Sequence, residues 1–332
     1  MTSINKIKST AVFLVLLSVA LLGIFADFGD GDYSSRSRKL SENSETKPKL
    51  TDHNLNRFII VPEYKLMFCY IDKVGCTMFN KLFRDLRLIT GDIIQAEANF
   101  QLRKDIWWKN TPEHHQLSKS DLEDMLADSN WTKAVFYRNP TERFLSAFRS
   151  KCEGYDNDGQ DHCEMAFGNQ TISFDAAMEF MQYSKLGENA HFDPMHGFCG
   201  GLLDTISYYD VVEELEAKTA SSKVGSLLNK VGVPKRLADL LVHNVVQTGG
   251  VQSLKGSLLY NLVMNLWGGQ PDGGSQEGHY TNSKHNAGHY LDDEHTDILR
   301  NYYAEDYELF NISSAFWSPA SAPSDGSPTA EM

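Results

Sequence analysis

YKLMFCYIDKVGCTMFNKLFRDLRL, residues 64–88, reads as a strand, a short loop and a helix. Tyr64 to Ile71 is an apolar, aromatic-rich run of strand length, and Phe79, Leu82, Phe83 and Leu86 then recur at helical spacing. The connecting loop is Asp72-Lys-Val-Gly-Cys-Thr77. Where a strand feeds a helix through such a loop, unpaired backbone N–H groups at the helix N-terminus make an anion site, and a glycine lets a ligand approach the backbone. Lys73 adds a point charge. The spacing is not the G-x-x-x-x-G-K-[ST] of nucleoside triphosphatases, and alone it is equally a structural turn carrying a solvated lysine.

A second stretch, TKAVFYRNPTERFLSAFRSKC (132–152), repeats the pattern. Ala134 to Tyr137 forms a strand, Asn139-Pro140 a turn, and Phe144, Leu145 and Phe148 the inner face of a helix that also carries Ser146. Ligands of open α/β sheets bind beyond the carboxyl ends of the strands. Arg138 and Lys73 therefore face one anionic molecule from two strands.

These two stretches resemble a known family. YKLMFCYIDKVGCT is similar to the 5′-phosphosulfate loop of Golgi carbohydrate sulfotransferases, and RNPTERFLSAFRSK to their 3′-phosphate motif, R-D-P-x-x-R-L-x-S-x-y. The nearest group by this resemblance is that of the chondroitin, dermatan and uronyl 2-O-sulfotransferases. It continues more loosely through HFDPMHGFC (191–199), YDVVEELE (209–216) and 280–312. Asp72 stands where the family has Pro, and Asn139 where it has Asp; loop rigidity and the anchoring of Arg138 are the properties these departures touch. The resemblance implies a single α/β domain, with a P-loop-NTPase-like, mostly parallel central sheet flanked by helices. It also implies transfer of a sulfonyl group from 3′-phosphoadenosine 5′-phosphosulfate to a hydroxyl of a polysaccharide or glycoprotein glycan, with no metal. The donor would be held by Lys73, Val74, Gly75, Cys76, Thr77 and Met78 on one side and by Arg138 and Ser146 on the other, Lys73 also acting on the leaving phosphate.

Between the motifs, WWKNTPEHHQL (107–117) leads into a helix over Ser120 to Asp128. Two adjacent histidines are ordinarily a surface pair, and zinc is disfavoured because neighbouring residues rarely point at one metal. The resemblance places the general base in this interval, at His115 with His114 next. An imidazole, with its usual pKa near 6.5, suits that task. His191, in the segment similar to the family's H-W-x-P element, is the further candidate, with a structural role as its plainer reading.

The 332 residues are 41% hydrophobic and 23% charged, ordinary globular composition, and the formal charge of −13 argues against a general nucleic-acid binder. Thr10 to Ala26 is a long uncharged apolar run, preceded by Lys6 and Lys8 and followed by Asp27, Asp30 and Asp32. It reads as a signal-anchor helix with residues 1–9 in the cytoplasm, or alternatively as a signal peptide cleaved near Ala26. With the resemblance this gives a single-pass type II Golgi membrane protein. Its parts are a polar, disordered stem over 27–56, a lumenal catalytic domain over 57–313 and a disordered tail over 314–332.

Three sequons, at Asn130, Asn169 and Asn311, fit a lumenal glycoprotein. Cys69 lies in the first strand and Cys76 in the loop, which leaves Cys152, Cys163 and Cys199 for an oxidised pair. Cys152 and Cys163 flank a polar loop that a bridge would staple, and one thiol is left over. The run Leu254 to Trp267 reads as a buried helix, a flap over the acceptor or a membrane-surface contact, and Tyr280 to Lys284 as a plain turn or, by the resemblance, a loop closing on the nucleotide. Two other classes stay open: a lumenal kinase, which needs carboxylates to hold a divalent metal near the phosphates, and a glycan-binding relative that has lost catalysis.

Overall fold

The four residues Phe58–Val61 and the four residues Leu66–Cys69 are buried on both faces and form the strands β1 and β2. A computed structural model of the chain describes residues 47–90, 110–153, 159–247 and 283–313. In it β2 runs through the loop into α1 (Cys76–Thr90). Next come α2 (Lys119–Ala127), β3 (Thr132–Tyr137), α3 (Pro140–Lys151), α4 (Gly159–Phe167) and α5 (Phe174–Tyr183). β4 (Val211–Glu214), α6 (Ala220–Lys230), α7 (Lys235–Leu241), α8 (Ser283–Tyr290), α9 (Asp293–Tyr302) and α10 (Ala304–Leu309) complete the described order.

The sheet order is β1-β2-β3-β4, with β1 antiparallel to β2 and the other pairs parallel. This is an open, mostly parallel α/β sheet flanked by helices, as expected. The strand β1 was not foreseen. Its pairing of Phe58 with Cys69 and Val61 with Leu66 covers an edge that β2 would otherwise leave open.

Phe68 fixes α1 on the sheet: its ring centroid lies 4.4 Å from that of Phe79, 5.0 Å from Phe83 and 6.0 Å from Phe136. A second apolar cluster gathers Phe144 and Phe148 of α3 with Phe167, Phe174, Phe192 and Tyr303. Helix α3 thus lies between sheet and outer helices, and all its residues except Glu142 are buried. The polar members of α3 must therefore find partners inside the protein, and this requirement builds the site.

Two expectations are revised. Residues 47–56 are not stem: Leu50 is buried in the core, Thr51 N–H donates to Gly200 O at 2.7 Å, and Lys47 pairs with Asp124 at 2.8 Å. Spacing alone hid this, because isolated Leu50 and Leu55 make no apolar period. Cys69, set aside as a strand residue, is bridged to Cys199, alongside the expected Cys152–Cys163 bridge, and the thiol left over is Cys76. The last residue of β2 is paired with β1 on one edge and faces the 195–200 turn with its side chain.

No helix among the described residues is long and apolar enough to cross a membrane, and the run 10–26 lies outside them, as do 27–46, 254–267 and the tail from 314. A non-reducing peptide map should show Cys69 joined to Cys199 and Cys152 to Cys163, with alkylation before reduction confined to Cys76. A Cys76 crosslink would contradict this pairing.

Candidate donor site and histidine cleft

The loop leaves β2 with its backbone bent into the left-handed region at Lys73 (φ 67°) and Gly75 (φ 66°). At Gly75 a Cβ would also meet Leu215 Cδ2 at 2.9 Å, so conformation and space both demand glycine. The paired reversals turn the backbone towards the start of α1, whose N-terminus carries unpaired N–H groups and the positive end of the helix dipole.

Asp72 is anchored twice. Its carboxylate accepts from Arg57 Nε at 2.9 Å, and its carbonyl accepts from Arg143 Nε at 2.8 Å. The rigidity that proline would lend the loop is supplied here by two arginines.

Arg138 leaves the end of β3 and reaches the loop, Nη1 donating to Lys73 O at 3.4 Å, while Nη2 pairs with Glu142 one turn along α3. Asn139 caps α3: its Oδ1 accepts from Thr141 N at 3.0 Å and Glu142 N at 3.3 Å. An asparagine carbonyl does here what an aspartate would do at an N-cap. Lys73 Nζ donates to Ser150 Oγ at 2.5 Å.

Arg143, Ser146 and Ser150 follow one another at i, i+3 and i+7 and so lie along one stripe of α3. Contacts from both ends of the stripe reach the loop, which places buried Ser146 between them. Lys73, Gly75, Arg138 and Ser146 are thus brought to one place.

Arg143 is fully buried and spends its guanidinium on backbone, donating to Asp72 O, to Asp193 O at 2.7 Å and to Ala190 O at 2.8 Å. It joins the Asp72–Thr77 loop to the 189–193 turn, which carries His191. Opposite stands His162 of α4, its ring centroid 4.4 Å from that of His191. Burial holds both imidazoles below their usual pKa, and the cations Lys151 and Lys73 press in the same direction. Sequence reasoning missed Arg143, Ser150, Asn189 and His162. The second arginine of the 3′-phosphate-like motif was the available signal for Arg143; nothing local marked the others.

His115 and His114 are placed elsewhere. His115 packs beside the backbone of Ile60 in β1 and near Arg87, in the last turn of α1. Arg87 is eleven residues from Cys76, about 16 Å along a helix. Among the described residues His115 Nε2 is buried with no hydrogen-bond partner, and burial, with Arg87 and His114 adding to it, lowers the pKa to about 4. His114 is exposed and edge-on to it at 5.5 Å. Asn130, Asn169 and Asn311 are all exposed. Among the described residues no cluster of three or more His, Cys, Asp or Glu is arranged to hold a metal ion.

The fold is that of an α/β protein in which a glycine-turned strand-to-helix loop is faced by an arginine from the next parallel strand. The chain belongs to the sulfotransferase family, whose family model matches residues 56–313. Among curated relatives, carbohydrate sulfotransferase 9 of Homo sapiens is 23% identical over 202 residues, covering 56% of this chain and 43% of the relative. Carbohydrate sulfotransferase 11 of Danio rerio is 27% identical over 122 residues, covering 34% of this chain and 31% of the relative. Carbohydrate sulfotransferase 8 of Homo sapiens is 24% identical over 115 residues, covering 33% and 24%. The chain therefore spans less than half the length of each of these relatives. No solved structure matches it.

Replacing Arg143 by Met leaves one buried and two part-buried carbonyls without their donor, each worth up to about 1–3 kcal/mol. Urea unfolding of Arg143→Met should show a loss of about 3 kcal/mol. His115 yields a pH prediction. Its folded pKa, about 4, lies below the unfolded value of about 6.5. Its contribution is therefore complete above pH 6.5 and is lost as the pH falls toward 4. His115→Gln should flatten the acid limb of the stability curve in that window; an unchanged limb would show that His115 is not held neutral by the fold.

Proposed function

We propose that the protein transfers a sulfonyl group from 3′-phosphoadenosine 5′-phosphosulfate to a hydroxyl of a carbohydrate. The observation that carries this reading is the meeting of the Lys73–Gly75 loop with Arg138 across two parallel strand ends. The residues suit the donor: the Lys73–Gly75 loop leads into the N-terminus of α1, an end that favours a phosphate, and Arg138 with Ser146 of α3 would hold the 3′-phosphate. When bound, the donor supplies an activated sulfonyl group on a phosphate leaving group.

The chain's own residues supply the rest. Lys73 and the N–H groups around Gly75 to Met78 stabilise the charge that collects on the departing phosphate oxygen. Arg138 and Ser146 hold the other phosphate and thereby fix the position of sulfur. The carbohydrate acceptor is favoured by the relatives' names. A lumenal, Golgi placement rests on the anchor-like run 10–26, the exposed sequons and the two disulfides.

Calorimetric titration with adenosine 3′,5′-bisphosphate in metal-free buffer should show binding, which a kinase would not give and a degenerate lectin would give weakly or not at all. Arg138→Ala should weaken that binding by about 1.5–3 kcal/mol, the range for hydrogen bonds to charged groups, and remove the preference for the 3′-phosphate. A screen of desulfated polysaccharides with radiolabelled donor then identifies the acceptor. Unchanged affinity and preference in Arg138→Ala would reject this reading.

A further inference from the structure

Asn189 is buried beneath the two cleft histidines and bonds to both. An amide side chain is usually ambiguous between its oxygen and nitrogen, but here backbone groups remove the ambiguity. The His191 backbone N–H can only donate, and it lies 3.0 Å from Asn189 Oδ1; the His162 carbonyl can only accept, and it lies 3.0 Å from Asn189 Nδ2. With the amide so oriented, its remaining contacts dictate how each ring carries its proton. His191 Nδ1, 3.0 Å from the amide oxygen, must be the N–H, so Nε2 keeps the lone pair. His162 Nδ1, 3.2 Å from the amide nitrogen, must be the acceptor, so its N–H is on Nε2.

One asparagine thus imposes opposite tautomers on two neighbouring, mutually tilted imidazoles. Only His191 is left with a basic nitrogen that no described residue occupies.

We propose that His191 Nε2 is the general base of this site, and that Asn189 and His162 are the residues that position it. The proposal rests on the sulfonyl-transfer reading. In the step, the acceptor hydroxyl gives its proton to His191 Nε2 as its oxygen bonds to sulfur. The bond from sulfur to the phosphate oxygen breaks, and its electron pair leaves with adenosine 3′,5′-bisphosphate.

The location supports the role. Arg143 holds the Ala190 carbonyl and the Asp72 carbonyl on one guanidinium, so the histidine turn and the phosphate loop are fastened side by side. The charged and titratable groups facing His191 are Lys73 from the loop, Lys151 and Arg143 from α3, and His162 from α4, and all of them oppose its protonation. Those facing His162 are Lys151 and Lys73, opposed by Asp72 and Asp161. Burial and these cations favour the neutral form of both rings. Negative charge brought by a bound nucleotide offsets Lys73 and Lys151, so basicity at His191 rises when the nucleotide is in place.

The test has an arm that needs no acceptor. Nitrogen-15 multiple-bond NMR of the full chain at neutral pH should show His191 protonated on Nδ1 and His162 on Nε2. Adding adenosine 3′,5′-bisphosphate should raise the His191 pKa, and Asn189→Ala should release His191 from the Nδ1–H form. The same tautomer on both rings, or His191 protonated on Nε2, would overturn the proposal.

In the second arm, His191→Gln should lower kcat roughly 100-fold to 10,000-fold with bisphosphate affinity retained. His162→Gln and Asn189→Ala should lower kcat less and should displace its acid limb, which a merely structural loss would not move. Asn189→Ser provides a milder variant should the alanine protein fail to fold. Turnover of His191→Gln within a few-fold of the unaltered protein, with the nucleotide bound, would refute the base role while leaving sulfonyl transfer standing. Failure of the unaltered protein to bind the bisphosphate would remove both readings together.

Discussion

The buried guanidinium of Arg143 is the contact on which the site depends. A fully enclosed cation is tolerated only when its N–H groups are satisfied, and in this protein the acceptors are three carbonyls from two separate segments. Satisfying one side chain therefore forces the Asp72–Thr77 loop and the 189–193 turn into a fixed relation. The apolar residues of α3 serve the same end. Phe144 and Phe148 dock the helix on the outer cluster, and the stripe carrying Arg143, Ser146 and Ser150 is turned towards the loop.

Much of this was legible in the sequence, for reasons that differ between elements. The strand, loop and helix over 64–88 declare themselves because the apolar period changes from continuous to helical across a glycine. The same signal repeats at 132–152 and places Arg138 at a strand end. These are local patterns, and they carried the fold and the placement of Arg138 beside the Lys73 loop. The strand β1 was less visible because four residues, FIIV, give no period to read and their pairing with β2 is known only in three dimensions.

What the sequence concealed is long-range. His115 sits in the interval where the resemblance places a base, yet its neighbours are Ile60 and Arg87, at the far end of α1 from the loop. His162 and His191 are separated by 28 residues in sequence and meet through Asn189, a residue with no motif to mark it. Asp72 and Asn139 read as weaknesses in the sequence; with Arg57, Arg143 and the N-cap of α3 in view they are anchored substitutes. Cys69 paired against expectation because a strand residue's side chain can face a distant turn.

That long bridge bears on how the cleft comes into being. Cys69 and Cys199 are 130 positions apart, and Cys152 and Cys163 only 11. In the chain-entropy account, closing these loops removes about 5 and about 3 kcal/mol of disorder from the unfolded ensemble. The larger tie joins the end of β2, just before the Asp72–Thr77 loop, to the turn that follows the histidine segment, so these two segments are already tethered in the oxidised but unfolded chain. Their mutual search is shortened by covalent connection before any side chain packs, and the cleft's assembly is thereby coupled to thiol oxidation.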